Sequence, residues 1–282
     1  MTAKESRTNS SGWLAFPGVF WLVTFFLLPL LFVLVSSFLS RGPGGAPVMP
    51  VTLEHYGRTF DVFWPIIWRT LVFSGVTTLF CLLLGFPVAF FISTRPRPRT
   101  RQILLFLILL PFWTNFLVRT YALQTLLGRE GPINALLLSA GVIAEPLTML
   151  NTTFAVVLGL VYGFVPFMVL PIYASVERLD FRYLEAAQDL GANDWRTFWR
   201  VVFPLTLPGI VAGSMLVFIP AIGAFVTPDL LGGTRGLMIG NLIQSQFRGR
   251  GNIPLGSAIS VVLMIVVMLG LLVYTRYGER RD

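Results

Sequence analysis

The stretch that decides the architecture is LEAAQDLGANDWRTFWRVVFPLTLPGI, Leu184 to Ile210. It is polar and charged in a chain that is otherwise mostly apolar. A helical run, Phe181 to Leu190, follows a capping residue at Asp180. Gly191 fits the helix stop, where the backbone takes a positive φ that glycine accepts without steric cost. Asn193 or Asp194 caps a second short helix from Trp195 to Phe203, and Pro204 and Pro208 lead back into apolar sequence. The reading is a helix-turn-helix hairpin held between two membrane spans.

Of the 282 residues, 55% are hydrophobic and 12% charged, with a mean hydropathy of +0.77. Soluble domains carry about 25% charged residues, so the chain is an integral membrane protein. Its net charge is +8, and Lys4 is its only lysine. A phosphate-binding loop of the Gly-Lys-Ser/Thr kind needs a lysine, so this chain holds no such ATPase. If ATP powers it, another chain binds the ATP. Cys81 is the only cysteine and His55 the only histidine, which excludes a disulfide and a Cys/His metal cluster. A Ser/His/Asp triad would have to use His55, in a polar loop without a nucleophile signature. Cys81 lies in mid-span and reads as a small buried apolar residue. The chain is expected not to be an enzyme and to hold neither metal nor cofactor.

Outward from the hairpin, the apolar runs give six spans. Residues 1–12 read as a cytoplasmic tail, and Trp13 to Leu39 as an uncleaved first helix kinked at Pro17 and Pro29. Residues 40–66 are Gly/Pro-rich and then mixed, with Phe60, Phe63, Trp64 and Trp68 marking an interfacial segment. Leu71 to Ile92 is the second span. The run RPRPRTR, with Arg95, Arg97, Arg99 and Arg101, anchors the topology beside anionic lipid and does not read as a nucleic-acid site. The third span, Ile103 to about Leu127, contains Pro111, Trp113, Asn115 and Arg119, polar groups that face the bundle or a wet path. Arg119 either pairs with an acid or snorkels. Gly128 to Asn151 holds a short external helix, and Thr153 to Val176 is the fourth span. Pro208 to Val226 is the fifth, 227–252 an external segment that can re-enter the membrane, and Ile253 to Tyr274 the sixth. One transmembrane domain, 13–275, thus carries the hairpin loop 177–207, and 276–282 form a second tail.

Both termini then share a side. That side, with the 95–101 and hairpin loops, holds 13 Lys/Arg against 8 on the other, so it is cytoplasmic. Two small-xxx-small pairs, Gly159/Gly163 and Gly209/Gly213, mark close packing within the bundle or between subunits.

The hairpin resembles the "EAA" loop of permease subunits of bacterial ABC importers. That pattern is Glu-Ala-Ala, three residues, Gly, nine residues, an aliphatic, any residue, Leu, Pro. Glu185, Ala186, Ala187, Gly191, Val201, Phe203 and Pro204 match its spacing, with Phe203 where Leu is usual. The resemblance implies a cytoplasmic coupling helix that docks on an ATPase subunit through Glu185, Ala186, Ala187, Gly191 and Pro204. Further pieces, among them LLLGFPVAFF (82–91), LLPFWTN (109–115), LVYGFVPFMVLPIY (160–173) and IGNLIQSQF (239–247), resemble the spermidine/putrescine-type permeases. They resemble the first of that system's two permease subunits.

This resemblance implies an all-α, six-helix type I (MetI-like) permease in a bacterial inner membrane. Its implied partners are an ATP-binding subunit dimer, a second related permease and a periplasmic solute-binding protein. ATP is held by the partner. The sequence departs at Val226, where the polyamine permeases carry tyrosine, while Asp229 keeps the acid. Candidate path residues are Asp229, Trp113, Asn115 and Phe225. Asp229 meets a cation or is a helix-end acid in water, and Trp113 is a stacking wall or core. The expected solute is a small organic cation, most simply a polyamine. The alternatives are another small solute (amino-acid-derived, opine-like or phosphonate) and an ion-coupled secondary transporter.

Overall fold

The computed structural model describes residues 11–249 and 251–278. Lys4, Arg7, Arg250, Arg280 and Arg281 lie outside the described residues, as do the side chains of Arg235 and Arg276. Five helices are long and apolar enough to cross a membrane, and six crossings result if one bent pair counts as a span. The chain divides into two compact units. One runs up to Phe63 and includes Ile243–Leu272; the other is built on Trp64–Leu242.

In the first unit, α1 (Ser11–Leu22) passes through a π-helical turn, Val23–Leu27, into α2 (Leu28–Ser36). Pro29 explains the turn. It brings no N–H, and its ring would press on the carbonyl four residues back. The register opens just before it, with the Leu28 N–H donating to the Val23 carbonyl five residues away. A hairpin of β1 (Leu39–Arg41) and β2 (Pro47–Val51) follows, antiparallel, with Leu39 opposite Val51. The Gly/Pro-rich sequence of this stretch predicts no strand, and the hairpin is a finding of the structure.

Helix α3 (Glu54–Ser93) corrects the reading further. It is one helix of 40 residues, not an interfacial segment followed by a span from Leu71. At about 1.5 Å per residue it is about 60 Å long. The Glu54 N–H donates to Thr52 Oγ1 at 3.1 Å, which starts the helix. Thr59 and Thr70 return their hydroxyls to the carbonyls of His55 and Ile66, at 2.7 and 2.8 Å. His55 is therefore a buried first-turn residue and not a loop residue.

The third span is not straight either. Helix α4 (Pro98–Leu109) tightens into a 3-10 turn, Leu110–Trp113. The chain then turns by 89° into α5 (Phe116–Leu127) and α6 (Pro132–Ser139). Pro111 cannot supply a helical N–H. Thr114 Oγ1 donates to the Pro111 carbonyl at 2.6 Å, and Asn115 Oδ1 accepts the Leu117 N–H at 2.8 Å, capping α5. Asn115 thus starts a new helix inside what its sequence neighbours present as one apolar run.

The core of the second unit lies between α7 (Thr153–Glu177) and α10 (Phe203–Ile222), with Cys81, Phe86 and Ala89 of α3 closing it. A Cβ on Gly209 would strike Ser175 and the Pro171 carbonyl, and one on Gly213 would meet Met168. Gly159 lies against Thr227 and Leu231 in the same way, and Gly163 faces Phe116. Both small-residue pairs thus serve packing within this unit. The fifth span ends at Ile222, before the expected Val226. The segment beyond it forms α11 (Val226–Leu231), a 3-10 turn at Gly233–Gly236 and α12 (Ile239–Phe247), ahead of α13 (Ile253–Gly278).

Gly209→Val should force α7 and α10 apart and destabilise the folded protein by about 1–3 kcal/mol. Gly57→Ala, where an added Cβ meets nothing within 4 Å, should be neutral. Thermal unfolding of the two purified variants checks both.

Candidate coupling hairpin and solute path

The hairpin forms from local chemistry. Asp180 Oδ1 accepts the Arg182 N–H at 3.0 Å and opens α8 (Arg182–Asp189). The helix stops in a paired hydrogen-bond pattern. The Gly191 N–H reaches the Gln188 carbonyl at 2.8 Å, and the Ala192 N–H reaches Ala187 at 3.0 Å. This requires φ of +83° at Gly191, which side chains disfavour. Asn193, not Asp194, is the next cap, with Oδ1 accepting the Arg196 N–H at 2.9 Å ahead of α9 (Asp194–Thr197). Asp194 instead joins the two arms by accepting Gln188 Nε2 at 3.2 Å.

The second arm does not end at Phe203 as expected. It runs through a second π-helical turn, Phe198–Val202, straight into α10. The Phe203 N–H donates to the Phe198 carbonyl, directly before Pro204. Pro204 therefore sits in a continuous helix that carries the arm into the apolar sequence of α10. At the root, Thr197 and Val202 are buried and Phe198 meets Phe86 edge-on at 5.3 Å. At the tip, Leu190 is 90% and Trp195 69% exposed. Glu185 and Ala186 are exposed and Ala187 half-buried. Beside the root, Arg101 Nη1 lies 3.7 Å from Glu177 Oε1, which also accepts the Tyr173 hydroxyl at 2.7 Å. Arg101 Nε further donates to the Arg95 carbonyl at 2.6 Å. These contacts gather the 95–101 arginines and the hairpin at one end of the unit.

The four path candidates fall in two places. Trp113 and Asn115 stand at the break after α4. Trp113 is 80% exposed with one edge-on contact to Phe106 at 5.7 Å, so it is not a core residue. Asn115 is occupied as a cap. Phe225 and Asp229 stand at the start of α11, with Asp229 exposed and its N–H on the Phe225 carbonyl at 3.0 Å. Helices α5 and α11 meet through Gln124, whose Nε2 donates to the Leu230 carbonyl at 3.2 Å. Arg119 neither pairs with an acid among the described residues nor snorkels free. Its guanidinium carbon lies 4.7 Å from the Phe112 ring centre and 5.7 Å from that of Phe116.

Buried amides that the sequence reading passed over shape this region. Asn134 is fully buried and bonds the Gly128 and Leu147 carbonyls and the Leu147 N–H, at 3.1, 3.0 and 2.9 Å. Asn241 Nδ2 holds the Phe225 carbonyl at 2.7 Å, and its Oδ1 accepts the Met238 N–H at 3.2 Å. Thr70 Oγ1 accepts the Ile239 N–H at 2.9 Å. An asparagine inside an apolar stretch, as in LMIGNLIQ, was the available signal.

In the second unit a polar hairpin joins α7 to α10 and a polar break interrupts the apolar run after α4. The chain belongs to the family described as binding-protein-dependent transport system inner membrane components, whose model matches residues 82–280. It is 46% identical over 260 residues to the spermidine/putrescine transport system permease protein PotB of Haemophilus influenzae, covering 92% of this chain and 91% of that one. It is also 46% identical to PotB of Escherichia coli K12, over 91% and 93% of the two chains. The inner membrane ABC transporter permease protein YdcU of the same organism is 32% identical over 92% of this chain and 86% of its own. Among solved structures, a bacterial ABC transporter that imports alginate superposes with a TM-score of 0.75 at 18% identity, over 96% and 97% of the chains. The MetNI methionine transporter gives 0.56 at 19% identity, over 77% and 94%. The fold is that of a type I ABC importer permease, and the chain is a multi-pass protein of the bacterial inner membrane. The ion-coupled secondary transporter is set aside by this membership.

Asn241→Leu should free the Phe225 carbonyl and lower stability by about 1–3 kcal/mol. A drop in melting temperature with unchanged membrane insertion checks it.

Proposed function

We propose that this chain is the first of two different permease subunits of a polyamine importer. The observation that carries the proposal is 46% identity across 92% of the chain to a permease named for spermidine and putrescine. ATP is bound and hydrolysed by a separate subunit dimer, in keeping with the absence of lysine beyond Lys4. A periplasmic solute-binding protein delivers the solute, and an alginate transporter of the same fold is described in complex with its periplasmic protein. Both termini and the hairpin face the cytoplasm, a reading supported by the bias in basic residues.

In this reading the hairpin is the contact with the ATPase. Its root is packed and its tip open. Glu185 and Ala186 offer an acceptor and a surface of low relief, Gly191 sets the turn and Pro204 the entry into α10. The solute passes the break at Trp113 and Asn115 and the mouth at Phe225 and Asp229. One carboxylate near a wet mouth stabilises an ammonium group by about 1–4 kcal/mol, depending on the effective dielectric. That biases entry without trapping the solute.

Two tests follow from different parts of the reading. The double variant Glu185→Ala, Gly191→Val should be inserted normally while ATP-driven uptake falls by about tenfold or more; normal uptake refutes the coupling role. Asp229→Asn keeps size and hydrogen bonding but removes the charge. Uptake of labelled spermidine should fall several-fold with the ATPase still bound, and unchanged uptake removes Asp229 from the path.

A further inference from the structure

Arg119 places a guanidinium inside the apolar body of the second unit. Its Nε is buried without a hydrogen-bond partner, and its charge lies over the rings of Phe112 and Phe116. What those rings touch fixes the depth. Phe112 meets Phe167 edge-on at 5.2 Å, and Phe116 faces Gly163. In the 25-residue α7, Phe167 is about 21 Å from the outer end and about 15 Å from the inner end, at about 1.5 Å per residue. The charge therefore sits near the middle of a hydrocarbon layer about 30 Å thick. A cation at that depth faces the bundle interior or a wet cavity and pairs with an opposite charge or with backbone carbonyls.

The described residues do not supply the acid. No carboxylate among the described residues is within ion-pair distance of Arg119. Helices α4, α5 and α10 contain no Asp or Glu, and α7 has one only at its inner end. The surface around Arg119 is also uncovered: Trp113, Val118 and Tyr121 are 80%, 62% and 52% exposed. Lipid can cover those apolar side chains, but a lipid phosphate lies about 15 Å or more from the bilayer centre, and the rings hold the guanidinium inward. A second copy of this chain offers Asp229, on the α11 that packs at Gly159. That level is about 9 Å from the outer end of α7, well above the guanidinium.

We propose that the counter-ion of Arg119 is a carboxylate of the second, different permease, paired with it at the subunit interface. The proposal rests on the two-permease reading above. It also accounts for a fixed cation beside the path of a cationic solute, because a paired charge presents no net repulsion.

The test uses the complete transporter, purified through a tag on this chain. A photoreactive amino acid at Val118 should cross-link to the second permease. Arg119→Gln should lower recovery of that permease by about tenfold or more, while Arg119→Lys, which keeps the charge, should retain most of it. Cross-linking only to lipid or to a second copy overturns the proposal. So does wild-type recovery with Arg119→Gln, or loss with Arg119→Lys as complete as with Arg119→Gln. A native complex whose mass contains no second permease fails the two-permease reading itself, and that result is separate from the variant data.

Discussion

The close approach of α7 and α10 underlies the second unit. Between helices in lipid there is no hydrophobic drive, because the surrounding tails are as apolar as leucine. Attraction comes from dispersion at short range, and backbones must come near each other to gain it. Gly209 and Gly213 permit that approach along Pro171, Ser175 and Met168. Buried Val169, Ile172, Val176 and Val217 fill the seam. The hairpin follows from this, since it leaves the end of α7 and enters the start of α10. Both of its roots are fixed by the same seam, and the Arg101–Glu177 pair adds α4 to the clamp. The tip, with Leu190 and Trp195, has no such restraint.

Much of this was legible because it is local. Asp180, Gly191 and Asn193 act within three residues of themselves, and their cap and turn chemistry places α8 and the start of α9 to within a residue. The membrane spans are equally plain, since length and hydropathy are properties of a single segment. What escaped were choices between two local signals. At 114–115 the apolar run favoured a straight span, while Pro111 and Asn115 favoured a stop and a restart; the cap prevailed. At 54–66 the mixed sequence, with Glu54, Arg58 and Asp61 among aromatic residues, suggested an interfacial segment. A helix with polar residues on exposed faces accommodates them instead.

Pairings distant in sequence were not legible at all. Thr70 with Ile239, Asn241 with Phe225 and Gln124 with Leu230 each join a side chain to a backbone group. A backbone carbonyl carries no signature in the sequence, so only the polar half of each bond could be seen. The candidate site divides along the same line. The hairpin residues belong to one continuous stretch and were found together. The path residues come from two elements, and only their chemistry could be read in advance.

The two π-helical turns have a shared origin and a consequence for how such a chain can change. Each sits just ahead of a proline, Pro29 or Pro204, and each inserts one residue beyond the ordinary helical repeat. One residue corresponds to about 100° of rotation about a helix axis. In the second case the turn separates the hairpin arm from α10 without breaking either. The arm's phase, which decides which of its side chains are exposed, is offset from the phase that buries Gly209 and Gly213. A helix without the turn would lock these two faces together. With it, the exposed face of the arm and the packed face of α10 can vary independently while the seam with α7 stays unaltered.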